Sequence, residues 1–203
     1  MINQDRVVRD VVLIGASAGG LEAIVTILKR LPGDLAACLG VVLHRSPTIE
    51  SQLPFLLSRR STLPVQEPAD GEAIRSGFVY VAPRDVHLTV NGERWRLSRG
   101  ATVHFARPSV DSLFSSGAVQ FKSRVVGILL SGGGADGVSG LIDIKSMSGI
   151  CIAQEPGEAL FPSMPARAIL DDHIDAVMRV ADIAAAIPAL VAGEPVALAR
   201  APR

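Results

Sequence analysis

Apolar and polar positions along the 203-residue chain alternate between two patterns: unbroken apolar runs of strand length, and stretches with apolar residues at helical spacing. Val7–Ile14 is the first run. It breaks on Gly15-Ala16-Ser17-Ala18-Gly19-Gly20 and leads into an amphipathic helix over Leu21–Leu31, closed by Pro32-Gly33. Cys38–Leu43 is a second, wholly apolar strand ending at His44. Glu50–Arg60 predicts a helix, with Pro54 in its first turn, where a missing N–H is tolerated. Phe78–Val81 and Val86–Val90 predict short strands, and Asn91-Gly92 predicts a hairpin returning through Arg94–Leu97. Pro108-Ser109-Val110-Asp111 opens a helix that runs to about Phe121. Val125–Leu130, the most hydrophobic strand, ends in Ser131-Gly132-Gly133-Gly134-Ala135-Asp136-Gly137 and is followed by a helix over Val138–Met147. Strands over Gly149–Ala153 and Ile174–Val180 and helices over Pro165–Leu170 and Ala181–Leu190 complete the pattern.

This alternation predicts an α/β fold: a doubly wound, mostly parallel sheet with helices on both faces and a β-hairpin insertion. One domain is expected over residues 1–193, with a frayed tail over 194–203. In such sheets ligands bind outside the carboxyl ends of the strands. Ser17, His44 and Asp136 each follow such an end.

Composition narrows the function classes. Lys+Arg and Asp+Glu both number 20, so no global field exists to hold nucleic acid. Cys38 and Cys151 lie in apolar runs and read as buried free thiols. Asp5, Arg6, Arg9 and Asp10 interrupt any N-terminal signal pattern, and no apolar run approaches the ~20 residues of a membrane span. A cytoplasmic protein without an integral membrane segment is expected. No His, Cys and carboxylate cluster has metal-ligand spacing, so no metal is expected either.

The turn at Ser17 fits two known motifs imperfectly. As a dinucleotide fingerprint it has Ser17 where the second glycine must admit a pyrophosphate, and His44 stands where an acidic residue is needed. As the nucleophile elbow of α/β-hydrolases it follows one strand instead of several, and the order Ser17, His44, Asp136 differs from serine, acid, histidine. The local mechanics still suit a nucleophile or an anion cradle, because small neighbours leave the hydroxyl clear and a helix start presents free N–H groups. His44 could be an ordinary hydrogen-bonded residue at a strand end. Among the four histidines it alone ends a core parallel strand; His87 lies beside the hairpin, His104 before Pro108 and His173 in a polar loop. Its chemical role would be general base. Asp136 could simply cap the helix that follows it, or it could orient the histidine. A Walker-type phosphate loop is excluded, since no Gly-Lys-[Ser/Thr] follows the glycines.

Taken together, Ile14–Gly20, Val41–Arg45, Arg107–Asp111 and Leu129–Gly137 resemble the catalytic domain of the CheB-type chemotaxis receptor methylesterases, with Phe78–Pro83, Ile152-Ala153-Gln154 and Met164-Pro165 as further matches. The resemblance implies hydrolysis of glutamate γ-methyl esters on the cytoplasmic helices of methylated chemoreceptors, with glutamine deamidation in some members and no cofactor. By this match Ser17 is the nucleophile, His44 the base and Asp136 its orienter, with Ala18, Gly19, Gly133 and Gly134 as backbone support for the oxyanion. The family usually has threonine after the serine and methionine in the glycine turn; Ala18 and Gly133 stand there instead. It often carries an N-terminal receiver domain, whereas about ten residues precede the first strand here; two expectations follow, a domain taken from a longer chain or a freestanding form controlled in trans by a separate regulatory protein or by delivery to the receptor. An esterase for a different ester, or an idle interaction module on the same scaffold, are the alternatives.

Overall fold

The computed structural model describes residues 7–46, 48, 52–170 and 173–196. The predicted helix start at Glu50, the Asp171-Asp172 stretch and tail residues 197–203 lie outside the described residues.

Seven parallel strands form one sheet in the order β3-β4-β2-β1-β7-β8-β9. These are β1 (Val11–Ala16), β2 (Cys38–Leu43), β3 (Val65–Gln66), β4 (Val79–Val81), β7 (Val125–Leu129), β8 (Ile150–Gln154) and β9 (Ala176–Met178). β5 (His87–Asn91) and β6 (Arg94–Ser98) form a separate antiparallel hairpin. The helices are α1 (Gly20–Arg30), α2 (Leu53–Ser58), α3 (Val110–Phe121), α4 (Val138–Ser146), α5 (Ser163–Leu170) and α6 (Val180–Val191). The architecture is the doubly wound one that the sequence pattern predicts. The chain leaves β1 toward β2 and later returns to β7 on the other side, so the strand order switches at β1.

Period-two alternation sorts the strands onto two faces. Val12, Ile14, Leu39, Val41 and Ile128 meet Ile24, Ile27 and Leu28 of α1 and Ile183 and Ile187 of α6. Val11, Leu13, Val42 and Leu129 meet Leu113 and Phe114 of α3, Leu141 and Ile144 of α4, and Trp95 of the hairpin. On this second face three strands carry glycines where helices or the hairpin come close. A Cβ on Gly15 would lie 2.2 Å from Val110 Cγ1, one on Gly127 2.6 Å from Ile144 Cδ1, and one on Gly40 3.1 Å from the Trp95 ring.

Several boundaries differ from the sequence expectation. β1 starts at Val11, not Val7, because its pairing with β2 and β7 begins there. The hairpin closes over Gly92-Glu93, one residue later than Asn91-Gly92, since Asn91 pairs directly with Arg94. The sequence pattern gave no sign of β3, which has only two residues; its pairing with β4 makes it a strand. Cys38 and Cys151 are buried free thiols, and burial pushes each up to about 12, far from the reactive thiolate range. Among the described residues no helix is long and apolar enough to cross a membrane.

Candidate active site

Ser17 follows β1, His44 follows β2, and the turn after β7 carries Asp136; the three neighbouring strands bring these residues to one edge. His44 Nδ1 lies 3.2 Å from Ser17 Oγ, and His44 Nε2 lies 2.7 Å from Asp136 Oδ2. An ionised carboxylate only accepts, so Nε2 carries the ring proton. Nδ1 is then the free lone pair that faces the serine hydroxyl.

The serine is held by the backbone around it. Its own N–H donates to the Ser131 carbonyl at 3.0 Å, and the His44 N–H donates to Ala16 at 3.0 Å. Ser131, fully buried, donates its hydroxyl to the Ala18 carbonyl at 2.9 Å and accepts from the Phe161 N–H at 3.0 Å. The Ser131 N–H donates in turn to Gln154 Oε1 at 2.8 Å. Gly19 must be glycine on two counts: its φ is +74°, and a Cβ there would lie 2.8 Å from Leu160 Cβ. Gly132 also presses on the site, since its Cβ would meet Ser17 Cβ at 2.8 Å and Met164 Cε at 2.6 Å.

These contacts sort the backbone donors. The Ser17 N–H is engaged by Ser131, and the Gly132 N–H donates to Phe161 at 2.9 Å. Ala18, Gly19, Gly133 and Gly134 have no such partner among the described residues. The Ala135 and Asp136 N–H groups in the same turn likewise have none among the described residues. Gly133 is also open on its side-chain side: the nearest atom to a Cβ there is Ser163 Oγ at 4.0 Å. Gly133 stands at the edge of a cleft of about 260 Å³, which His44, Asp136, His104 and Arg107 also line.

Asp136 is buried and caps a helix, but not the one that follows it in sequence. It accepts from the Val110 N–H at 2.8 Å, the Asp111 N–H at 2.9 Å and the Ser109 hydroxyl at 2.8 Å, all at the start of α3. Asp111, in the first turn of α3, reciprocates. It accepts from the Gly137 N–H at 2.9 Å and the Gly140 N–H at 2.7 Å, at the start of α4. Each helix thus has its N-terminal donors met by a carboxylate from the other. A Cβ on Gly140 would lie 2.4 Å from Phe114 Cβ, so glycine permits the close crossing.

The two carboxyls are driven in opposite directions. Burial pushes Asp136 up, but the hydrogen bonds from His44, Asp111, Val110 and Ser109 outweigh it and hold this carboxyl below its ordinary value. Burial pushes Asp111 up and prevails; the Asp136 charge adds to the rise, against the Gly140 and Gly137 N–H groups and His104. His104 Nε2 lies 3.2 Å from Asp111 Oδ2, so a second histidine shares the cleft. His87, by contrast, is structural. Its Nδ1 accepts from the Ser109 N–H at 3.2 Å while Nε2 donates to the Ala101 carbonyl at 2.9 Å. Sequence reasoning assigned no part to Ser109, Asp111, Ser131 or Gln154. The signal for the first two was their place in the Arg107–Asp111 helix start.

A serine facing the free nitrogen of a carboxylate-oriented histidine, beside open N–H groups, is the arrangement serine hydrolases use for acyl transfer. The CheB methylesterase family profile matches residues 12–187, and the chain belongs to that family. A Leptospira interrogans protein with the provisional name protein-glutamate methylesterase/protein-glutamine glutaminase is 33% identical over 176 residues, covering 86% of this chain and 91% of its own length. A Symbiobacterium thermophilum protein-glutamate methylesterase/protein-glutamine glutaminase is 38% identical over 86% of this chain, which spans 51% of that relative. The crystal structure of the Thermotoga maritima CheB methylesterase catalytic domain superposes with a TM-score of 0.86 at 31% identity, over 90% of this chain and 98% of that one.

Proposed function

We propose that this chain hydrolyses glutamate γ-methyl esters on the cytoplasmic helices of methylated chemoreceptors, in the cytoplasm, with Ser17 as nucleophile, His44 as general base and Asp136 as its orienter. The observation that carries this reading is the continuous hydrogen-bonded path from Asp136 Oδ2 through His44 to Ser17 Oγ. Family membership supplies the ester.

The reaction runs in two halves. Ser17 Oγ attacks the ester carbonyl as His44 Nδ1 takes its proton. The oxyanion of the tetrahedral intermediate faces the open N–H groups of Ala18, Gly19, Gly133 and Gly134. His44 then protonates the departing methoxide, methanol leaves, and a glutamyl ester of Ser17 remains. Water, activated by the same histidine, cleaves that ester and returns the free carboxylate and the serine. A glutamine side chain entering the same path would release ammonia in place of methanol. Throughout, Asp136 keeps the ring proton on Nε2 and stabilises the imidazolium.

The test is methanol release from methylated receptor membranes. Wild type should release methanol, with His44 Nδ1 taking the serine proton. Ser17→Ala should abolish release while leaving the urea midpoint in place, and a chelator should change nothing. Full release by Ser17→Ala, or loss with a chelator and recovery with a divalent metal, would overturn the reading.

A further inference from the structure

α2 turns Leu53 and Leu57 into the core yet leaves Phe55 63% and Leu56 42% exposed. These two side chains border a groove of about 600 Å³, lined also by Leu21, Leu43, Arg59 and Arg60. Among the described residues no carboxylate lines it. In a chain of zero formal net charge, this is a local surface that is both apolar and positive.

Two features join the groove to the catalytic cleft. Arg45 lines both cavities. Leu43 is the last residue of β2, directly before His44, and Leu21 lies in the first turn of α1, just beyond Ser17. The groove therefore adjoins, through Arg45, the cleft that His44 and Asp136 line.

We infer that the groove receives the helix that carries the ester: an amphipathic helix with its apolar face on Leu21, Leu43, Phe55 and Leu56, and with carboxylates toward Arg59 and Arg60. This rests on the methylesterase reading above and adds the recognition surface to it. A helix laid in an apolar groove is anchored at i, i+3 and i+4 intervals. The anchors fix which side chain, about one turn further along, reaches Ser17. Arginine suits the rim because its stem covers apolar surface while its guanidinium takes carboxylates in a bidentate geometry. Because global charge offers no steering, local complementarity has to select the partner.

The test compares two substrates sharing one glutamate γ-methyl ester: an acidic amphipathic helical peptide and a tripeptide. Wild type, Phe55→Ser and Arg59→Glu/Arg60→Glu are assayed as full chains, with thermal melts to verify folding. Each variant should raise KM for the helix by about tenfold or more and leave the tripeptide kcat/KM within about twofold. Neutralising the acidic flank of the peptide should cost wild type the same factor and make it insensitive to the arginine changes. Unchanged helix KM in the variants, or equal losses on the tripeptide, would overturn the groove. Binding of a fluorescent helix, with glutamine in place of the ester, to Ser17→Ala reads the groove independently of turnover. If wild type cleaves neither substrate yet this binding shows the same losses, the methylesterase reading fails and the groove stands. Stronger binding to anionic vesicles than to the helix, or a wild-type dimer that Phe55→Ser dissociates without changing helix affinity, would also overturn it.

Discussion

Against α1 and α6 the central strands present Ile14, Val41 and Ile128, while against α3, α4 and the hairpin the same strands present Gly15, Gly40 and Gly127. The first face is mainly an apolar layer, with the buried polar side chain of Gln154 at its edge. On the second the covering elements sink closer, and four buried polar residues, His87, Ser109, Asp111 and Asp136, sit among the apolar ones. The difference teaches where a hydrolase of this fold keeps its chemistry. Polar side chains survive burial where hydrogen-bond partners are close enough to satisfy them, and the close approach at Gly140 brings the starts of α3 and α4 within that distance.

The strongest test of this comparison removes the charge from the polar face. Asp136→Asn should cut turnover by about 10⁴, by analogy with serine proteases, because the histidine loses its tautomer control. The sequence alone suggests that this change keeps the fold intact. The geometry adds a stability cost of about 1–3 kcal/mol, because an amide NH₂ must now face a backbone N–H or the Ser109 hydroxyl. Methanol release and urea melts measure both; a variant that loses stability but retains its rate would make Asp136 a cap alone.

Truncation on the apolar face should behave differently. Leu28→Ala, at a fully buried position on the inner side of α1, should cost about 2–5 kcal/mol and leave kcat/KM unchanged at temperatures where the variant is folded. Gly15→Ala on the opposite face should cost about 1–3 kcal/mol through overpacking. It should also lower turnover, since it displaces Val110, whose N–H binds Asp136. Equal effects on turnover from both substitutions would erase the distinction between the faces.

Acid separates the two carboxylates. Asp136 is held below its unfolded value of about 3.9, so the stability it contributes is present above that value and lost as pH falls through its folded value. Asp111 is raised, so its contribution is present below the unfolded value and lost as pH rises through its folded value. Urea midpoints between about pH 3 and pH 7 should show a shallower acid loss for Asp136→Asn and a relative gain for Asp111→Asn as pH rises. Parallel curves for both variants would refute this assignment. The smallest effect is expected at Gly133→Met: the space is open, so stability should move by no more than about 0.5 kcal/mol, while KM for the ester changes as the cleft narrows.

Much of this was legible in the chain before folding. The breaks after β1, β2 and β7 are marked by Ser17, His44 and the glycine run before Asp136, because strand ends and small-residue turns are local signals. Asp136 as a helix cap was legible as a property of aspartate, but the helix it caps lies 26 residues earlier at Val110, a pairing set only by packing. The same holds for Asp111 with Gly140 and for Ser131 with Gln154. The sequence set His87 apart from His44, but the hydrogen bond it accepts from Ser109 depends on the hairpin folding back. The two-residue β3 leaves no periodicity to detect.

The exchange of carboxylates between α3 and α4 also ties catalytic competence to cooperativity. Neither helix can fray at its start without releasing the acid that the other needs, and one of those acids, Asp136, is hydrogen-bonded to His44. The amide protons of Val110, Asp111, Gly137 and Gly140 should therefore exchange with solvent as a single unit, at one opening free energy. Any excursion that opens that unit frees Asp136 from the donors of α3 and loosens its hydrogen bond to His44, while the sheet beneath remains paired.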